Sequence, residues 1–250
     1  MEERYKDVYA SGGTAAEAFY RIAKITGILR EECPWDRAQT HESVRVCMLE
    51  EAYEACEAID NNDMDNLEEE LGDVLYQVLF HSILAEEASK FDIVSVINRE
   101  CEKMIRRHPH VFAKENAKSV DKAIEKWENV KWKEKEYASY SERLEAVPKA
   151  MPALIRSYKI KRKAAEAGFD RNDAREAFQG IMEGVAALNE ARLNGDAGRI
   201  KDGLGDLLLS VVDASCYLCV NPEEALDAAT ERFIKSFAAV EEARLKEECR

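Results

Sequence analysis

Five carboxylates fall on two neighbouring stretches of this chain: Glu50, Glu51 and Glu54 in LEEAYE, then Glu70 and Asp73 in LEEELGD. Spacings of three and four place them on one face of each stretch wherever the backbone is helical. Two such faces opposed across an antiparallel helix pair would gather four or five negative charges in a small space. A divalent cation or a strongly basic ligand is needed to stabilise that gathering. Mg²⁺ takes hard oxygen ligands, keeps several waters and is commonly shared between carboxylates and substrate phosphates. Glu51, Glu54, Glu70 and Asp73 are therefore the expected ligands of Mg²⁺, with Mn²⁺ as the alternative. Glu50 is left to assist from behind them or to activate a water. A di-iron carboxylate site is the rival metal reading. It requires Glu-x-x-His steps, whereas this chain offers Glu70-x-x-Asp73, and carboxylate in place of imidazole favours Mg²⁺ or Mn²⁺ over iron.

Cations for a phosphate tail are also present. Lys103 and Arg107 stand four apart in CEKMIRRHPHVF and share a helix face. For His108 and His110, a helix-ending role and a phosphate contact are both open. Trp35 in CPWD is either a core anchor or a wall on which a base stacks, and Asp36 can cap the turn after it. His81 is read as a packed or water-bonded imidazole. Any single E-x-x-E in an acidic chain reads first as a solvated face; it is the whole constellation that reads as a site.

The elements that must position these residues are helical. Ala, Glu, Leu, Lys and Arg dominate, with only 11 Gly and 5 Pro in 250 residues. Apolar side chains recur at helical spacing over 17–30, and Pro34 interrupts. A long helical pattern runs from Thr40 to Ile59. Asn61, Asn62 and Asp63 signal a turn, and Asp65 is placed to cap the next helix, Leu67 to Ala88. Gly72 inside it costs roughly 1 kcal/mol against Ala, so close approach by another helix or a ligand is expected there. Asp92 starts a third helix that ends at Pro109.

The 46% hydrophobic content suffices for a packed core, and a formal charge of −14 argues against a nucleic-acid-binding surface. No apolar run reaches the ~20 residues of a membrane span, so no membrane partner is expected. The amino terminus is charged and lacks an apolar segment, and seven cysteines occur without a framework spacing. Both observations predict reduced thiols and a cytoplasmic protein. Cys216 and Cys219 read as two helical cysteines facing the core rather than as a zinc pair.

The chain repeats itself. GIMEGVAALNEARLNGDAGRIKDGLGDLLLSVVDAS lies over CMLEEAYEACEAIDNNDMDNLEEELGDVLYQVLFHS without a gap. Asp73 pairs with Asp206, Glu50 with Glu183 and Gly72 with Gly205, each 133 positions on. The acids do not repeat: Glu51 becomes Gly184, Glu54 becomes Ala187 and Glu70 becomes Gly203. Asp213 adds a further acid, but two or three scattered acids are a poor cage for a hard cation. The second copy offers Arg232 and Ser236 where the first has Lys103 and Arg107. The expected organisation is a first domain at 17–112, a charged helical linker at 113–147 with Trp127 and Trp132 as docking points, and a second domain at 148–245.

CPWDRAQTHESV, LEEAYE, LEEELGDVLYQVLFHS and RRHPHVF, with MPALIRSYKIKRKAAEAGFD after them, resemble the MazG nucleoside triphosphate pyrophosphohydrolases in their two-domain form. The resemblance runs from about residue 19 to 240. It implies an all-α fold of two tandem helical-bundle units that dimerise through helix packing, giving a homodimer or a higher even homo-oligomer. It also implies Mg²⁺-dependent cleavage of an NTP or dNTP to the monophosphate and pyrophosphate. Its metal-binding acids map onto Glu51, Glu54, Glu70 and Asp73, with Glu50 completing the motif, and its phosphate contacts onto Lys103 and Arg107. The second copy departs from the pattern in MEGVAALNE and KDGLGD, and Arg171 stands where the family has Trp. Activity is therefore expected in the first domain, with a structural or regulatory second one. The alternative function is a non-catalytic nucleotide-binding regulatory or assembly protein.

Overall fold

The computed structural model describes residues 5–248 except 114–118, 120–121, 124–125, 128–129, 132–133, 135–136 and 170–172. Much of the 113–147 segment, including Trp132, and Arg171 therefore lie outside the described residues. The chain is all-α: the described residues contain helices and no strand. It divides into two compact units, residues 1–131 and 132–250.

The first unit contains α1 (Lys6–Tyr9), α2 (Ala15–Glu32), α3 (Pro34–Ala38), α4 (Arg45–Asp60), α5 (Met64–Glu87), α6 (Ile93–Arg107) and α7 (Pro109–Phe112). Thr14 opens α2 with a capping box: its hydroxyl accepts from the Glu17 amide at 3.3 Å, and Glu17 accepts from the Thr14 amide at 3.0 Å. Pro34 occupies the first turn of α3, where its missing N–H costs nothing. Helix α4 begins at Arg45 rather than Thr40. Residues 39–43 are instead held by side-chain bonds: the Thr40 amide donates to Ser43 Oγ at 2.9 Å, and Ser43 Oγ donates to Gln39 Oε1 at 2.7 Å.

The α4–α5 turn lies at the Asn61–Asp63 signal, with one correction. Asn62 adopts φ 55°, and the cap of α5 is Asp63, not Asp65: its side chain accepts from the Asn66 amide at 3.1 Å. Helices α4 and α2 both pack on α5, and Ala55, Ala58, Leu79 and Ala85 are buried. A small cluster of Val44, Phe80 and Leu84, with Cys47 and Tyr76 against it, closes the far end.

The second unit contains α8 (Tyr140–Glu145), α9 (Ala153–Glu166), α10 (Ala174–Leu193), α11 (Ala197–Tyr217) and α12 (Pro222–Glu248). The α10–α11 hairpin repeats the first turn at the same 133-residue offset. Gly195 takes φ 69° where Asn62 takes 55°, and Asp196 caps α11 at 3.1 Å as Asp63 caps α5. Cys219 lies beyond the end of α11, exposed and with φ 54°, so only Cys216 of the pair is helical. No single described helix is long and apolar enough to cross a membrane.

Candidate active site

Pairing α4 with α5 brings Glu51, Glu70 and Asp73 together: one carboxylate oxygen of each lies within 4.8 Å of the other two. Glu70 is buried, Glu51 half-buried and Asp73 exposed, so the cluster opens to solvent at one edge. Burial pushes the Glu70 carboxyl above its ordinary range, and the charges of Glu54, Asp73, Glu51 and Glu69 push it further. Glu51 is raised in the same way, first by burial and then by Asp73, Glu54 and Glu50. Glu54 thus bears electrostatically on both but stands outside the group of three, exposed, as does Glu50. The donor set is entirely hard oxygen, which fits Mg²⁺ or Mn²⁺ and not a thiophilic metal.

The other expected residues are placed differently. Lys103 ion-pairs with Glu100 on its own helix. The Arg107 guanidinium lies 5.6 Å from the centroid of the Trp127 ring, which Lys131 approaches from 4.1 Å. Trp35 is 62% exposed, which removes the core-anchor reading and leaves a presented indole. His108 Nδ1 bonds the Met104 carbonyl at 2.7 Å, a helix-ending contact. Gly72 faces open space: a Cβ built there would meet nothing within 4 Å, so no described helix packs against it.

Several contacts escaped the sequence reading, the partners of His81 and Asp36 among them. His81 stacks on His41, with ring centroids 5.1 Å apart and Nδ1 atoms at 2.8 Å. Asp36 does not cap a turn with its side chain; it is buried and accepts from the Tyr76 hydroxyl at 3.3 Å. Gln77 is buried one turn beyond Asp73 on α5. The available signal was the i+3 and i+4 spacing from Asp73, which puts Tyr76 and Gln77 beside the acids. A cavity of about 470 Å³ between α1 and α2 contains none of the five acids, and its Lys24 pairs with Asp7 at 2.5 Å.

The second unit shows what replaced the acids. At Gly184, the counterpart of Glu51, a Cβ would stand 3.2 Å from Leu207 Cδ1 and 3.3 Å from Leu207 Cα. At Gly203, the counterpart of Glu70, it would lie 3.6 Å from Leu188 Cα. Helices α10 and α11 therefore press together where α4 and α5 hold carboxylates. Asp213, the extra acid, is buried and ion-paired with Lys161 at 2.8 Å. A groove of about 290 Å³ remains, lined by Glu190, Arg199, Asp202 and Asp206 among others.

The MazG nucleotide pyrophosphohydrolase domain matches residues 39–112, a span that contains all five acids, Lys103 and Arg107. A Thermotoga maritima nucleoside triphosphate pyrophosphohydrolase/pyrophosphatase MazG is 42% identical, over 90% of this chain and 86% of that protein. The Escherichia coli nucleoside triphosphate pyrophosphohydrolase is 35% identical over 88% and 86%. Among solved structures, a mazG-related protein from Thermotoga maritima is 32% identical, covering 45% of this chain and 98% of that one with a TM-score of 0.41. Similarity of this extent to proteins of nearly the same length places the chain in the MazG nucleotide pyrophosphohydrolase family.

Proposed function

We propose that the chain is a nucleoside triphosphate pyrophosphohydrolase whose first unit converts NTPs or dNTPs and water to monophosphates and pyrophosphate. The observation that carries this is the convergence of Glu51, Glu70 and Asp73, two of them with raised carboxyl pKa values. Left to itself that cluster is repulsive; with a divalent cation it is a binding site. Glu51, Glu70 and Asp73 would hold Mg²⁺ (or Mn²⁺), with Glu54 completing the set when substrate is present. Bound there, the cation would neutralise the polyphosphate and lower the pKa of a water. Glu50, exposed beside Glu51, is the carboxylate free to take the proton of the attacking water. Lys103 and Arg107 would exchange Glu100 and Trp127 for phosphate oxygens, and the exposed Trp35 indole would stack on the base.

The second unit, with glycines at the counterparts of Glu51 and Glu70, serves a structural or regulatory role in this reading. Both units expose apolar residues at matching positions: Leu49 and Met182, Leu71 and Leu204, Leu75 and Leu208. Those outward stripes support association with a second copy into a homodimer of the 28.4 kDa chain. Light scattering after gel filtration tests it, and a monomer mass would refute it. Such a protein works on free nucleotides in the cytoplasm.

Pyrophosphate release from a panel of NTPs and dNTPs, with and without Mg²⁺, tests the main proposal. Asp73→Ala or Glu54→Ala should abolish turnover, and Asp206→Ala should leave it near the parent rate. Silence of the folded parent across the panel refutes hydrolysis, and equal losses at Asp73 and Asp206 refute the division of labour.

A further inference from the structure

One buried side chain makes most of the bonds that hold the short helix α3. Arg30, 8% exposed on α2, donates from Nε and Nη2 to both carboxylate oxygens of Glu87 on α5, at 3.0 and 2.6 Å. Its Nη1 donates to the backbone carbonyl of Asp36 and, at 3.3 Å, to that of Gln39. The guanidinium also lies over the Phe80 ring, 5.5 Å from its centroid. The Gln39 side chain in turn donates to the Trp35 carbonyl at 3.0 Å. A second link runs from Tyr76 on α5 to the Asp36 carboxylate at 3.3 Å, long for such a bond but part-buried. Burial and the neighbouring Asp36 push the Tyr76 phenol up to about 12, so it remains a donor at any working pH.

Backbone and side chain at Trp35 are thus treated in opposite ways. The backbone just after the indole is tied to Arg30 of α2 through the Asp36 and Gln39 carbonyls, and the Asp36 carboxylate meets Tyr76 of α5, while the ring itself is exposed. An indole that is 62% exposed contributes little burial that would call for an immobilised backbone. Tyr76 also stands one turn, about 4.5 Å of rise, beyond Asp73 on the same helix, so the tie fixes α3 relative to the acids.

We infer that Arg30, paired with Glu87, is a positioning residue that pre-sets the backbone carrying the Trp35 indole, with Tyr76, on the helix that also carries Glu70 and Asp73, as a weaker second tie. This rests on the reading of Trp35 as the wall for the nucleobase. Pre-set walls improve binding by removing the ordering cost at the moment of association. The loss on breaking the clamp therefore appears in KM rather than kcat. Lysine cannot replace Arg30, because it lacks the planar fork that engages a carboxylate and two carbonyls together.

The test is a double-mutant cycle on the full chain with Mg²⁺ and a purine triphosphate. Arg30→Lys and Trp35→Ala should each raise KM roughly fivefold to tenfold with kcat within about twofold. The double variant should lose no more than Trp35→Ala alone, since Arg30 acts through the indole. Additive losses overturn the inference. So does a KM that rises for Trp35→Ala but not for Arg30→Lys, which leaves the base wall standing. An unchanged KM in Trp35→Ala overturns both. Glu87→Gln serves as the milder variant where Arg30→Lys folds poorly. Independently of activity, Trp35 fluorescence anisotropy, read with Trp127 and Trp132 changed to Phe, should fall in Arg30→Lys and Glu87→Gln. Unchanged anisotropy in both overturns the positioning role.

Discussion

Replacing two glycines by alanine distinguishes the open site of the first unit from its closed counterpart in the second. Gly72 and Gly184 are both interior helix positions, so each substitution gains about 1 kcal/mol of helix propensity. At Gly72 nothing lies within 4 Å of the new methyl, and the gain is realised in full. At Gly184 the methyl meets Leu207 at 3.2 Å through a side-chain atom and at 3.3 Å through a backbone atom. The leucine methyl can rotate away; the backbone atom cannot, short of separating the helices. Overpacking of this kind costs about 1–3 kcal/mol. The net result is between neutrality and a loss of about 2 kcal/mol. For a unit of about 120 residues, 1 kcal/mol moves the midpoint by about 4 °C. Scanning calorimetry, which resolves the two units if they melt separately, should show Gly72→Ala about 4 °C above the parent and Gly184→Ala unchanged or as much as about 8 °C below it. A rise in Gly184→Ala equal to that in Gly72→Ala would refute close helix contact as the successor to the carboxylates.

The electrostatics of the acid cluster give two further outcomes. Asp73→Asn and Glu51→Gln should abolish the Mg²⁺-dependent rise in melting temperature without lowering the metal-free value; a parent whose melting ignores Mg²⁺ refutes cation binding. The folded-state pKa values of Glu51 and Glu70 lie above the ordinary 4.5, so the native chain holds more protons than the unfolded one. Their contribution without metal is best below 4.5 and declines as pH rises through the raised values, and Glu51→Gln should flatten that slope in acid titrations monitored by circular dichroism. Glu87 behaves oppositely: its bond to Arg30 lowers its pKa, so its stabilisation is present above 4.5 and is lost as pH falls through the lowered value. Asp63→Ala and Asp196→Ala should each cost about 1 kcal/mol in urea titrations, since the two caps share one geometry.

Features that depend on neighbours along the chain could be read from sequence. The helical stretches, the Asn61–Asp63 turn and the shared face of Glu70 and Asp73 come from periodicity and turn chemistry over a few residues. The internal repeat made the acids stand out, because Gly184 and Gly203 replace Glu51 and Glu70 while the turn persists. The cap was misplaced by two residues because Asp63 and Asp65 offer the same chemistry, and only the backbone course distinguishes them. No described helix approaches Gly72, because a glycine signals permission for contact, not contact itself. The Arg30 clamp and the His41–His81 stack join residues 57 and 40 positions apart. No local pattern announces such partners; they exist only once α2, α3 and α5 are packed.

The lengths of α5 and α11 carry a consequence of their own. The two helices start in register, Asp63 with Asp196, yet left-handed residues end them at Ser89 and Cys219, only 130 positions apart. Helix α11 is thus 21 residues long against 24. Three residues are about 300° of helical rotation, so the chain leaving the shorter helix departs in a different direction from the chain leaving the longer one. Restoring glutamates at 184, 187 and 203 would return charge to the second hairpin but not the bearing of the helix after it. Substitution can undo the first kind of difference and not the second. Divergence between the copies has therefore passed a point that substitution alone does not retrace.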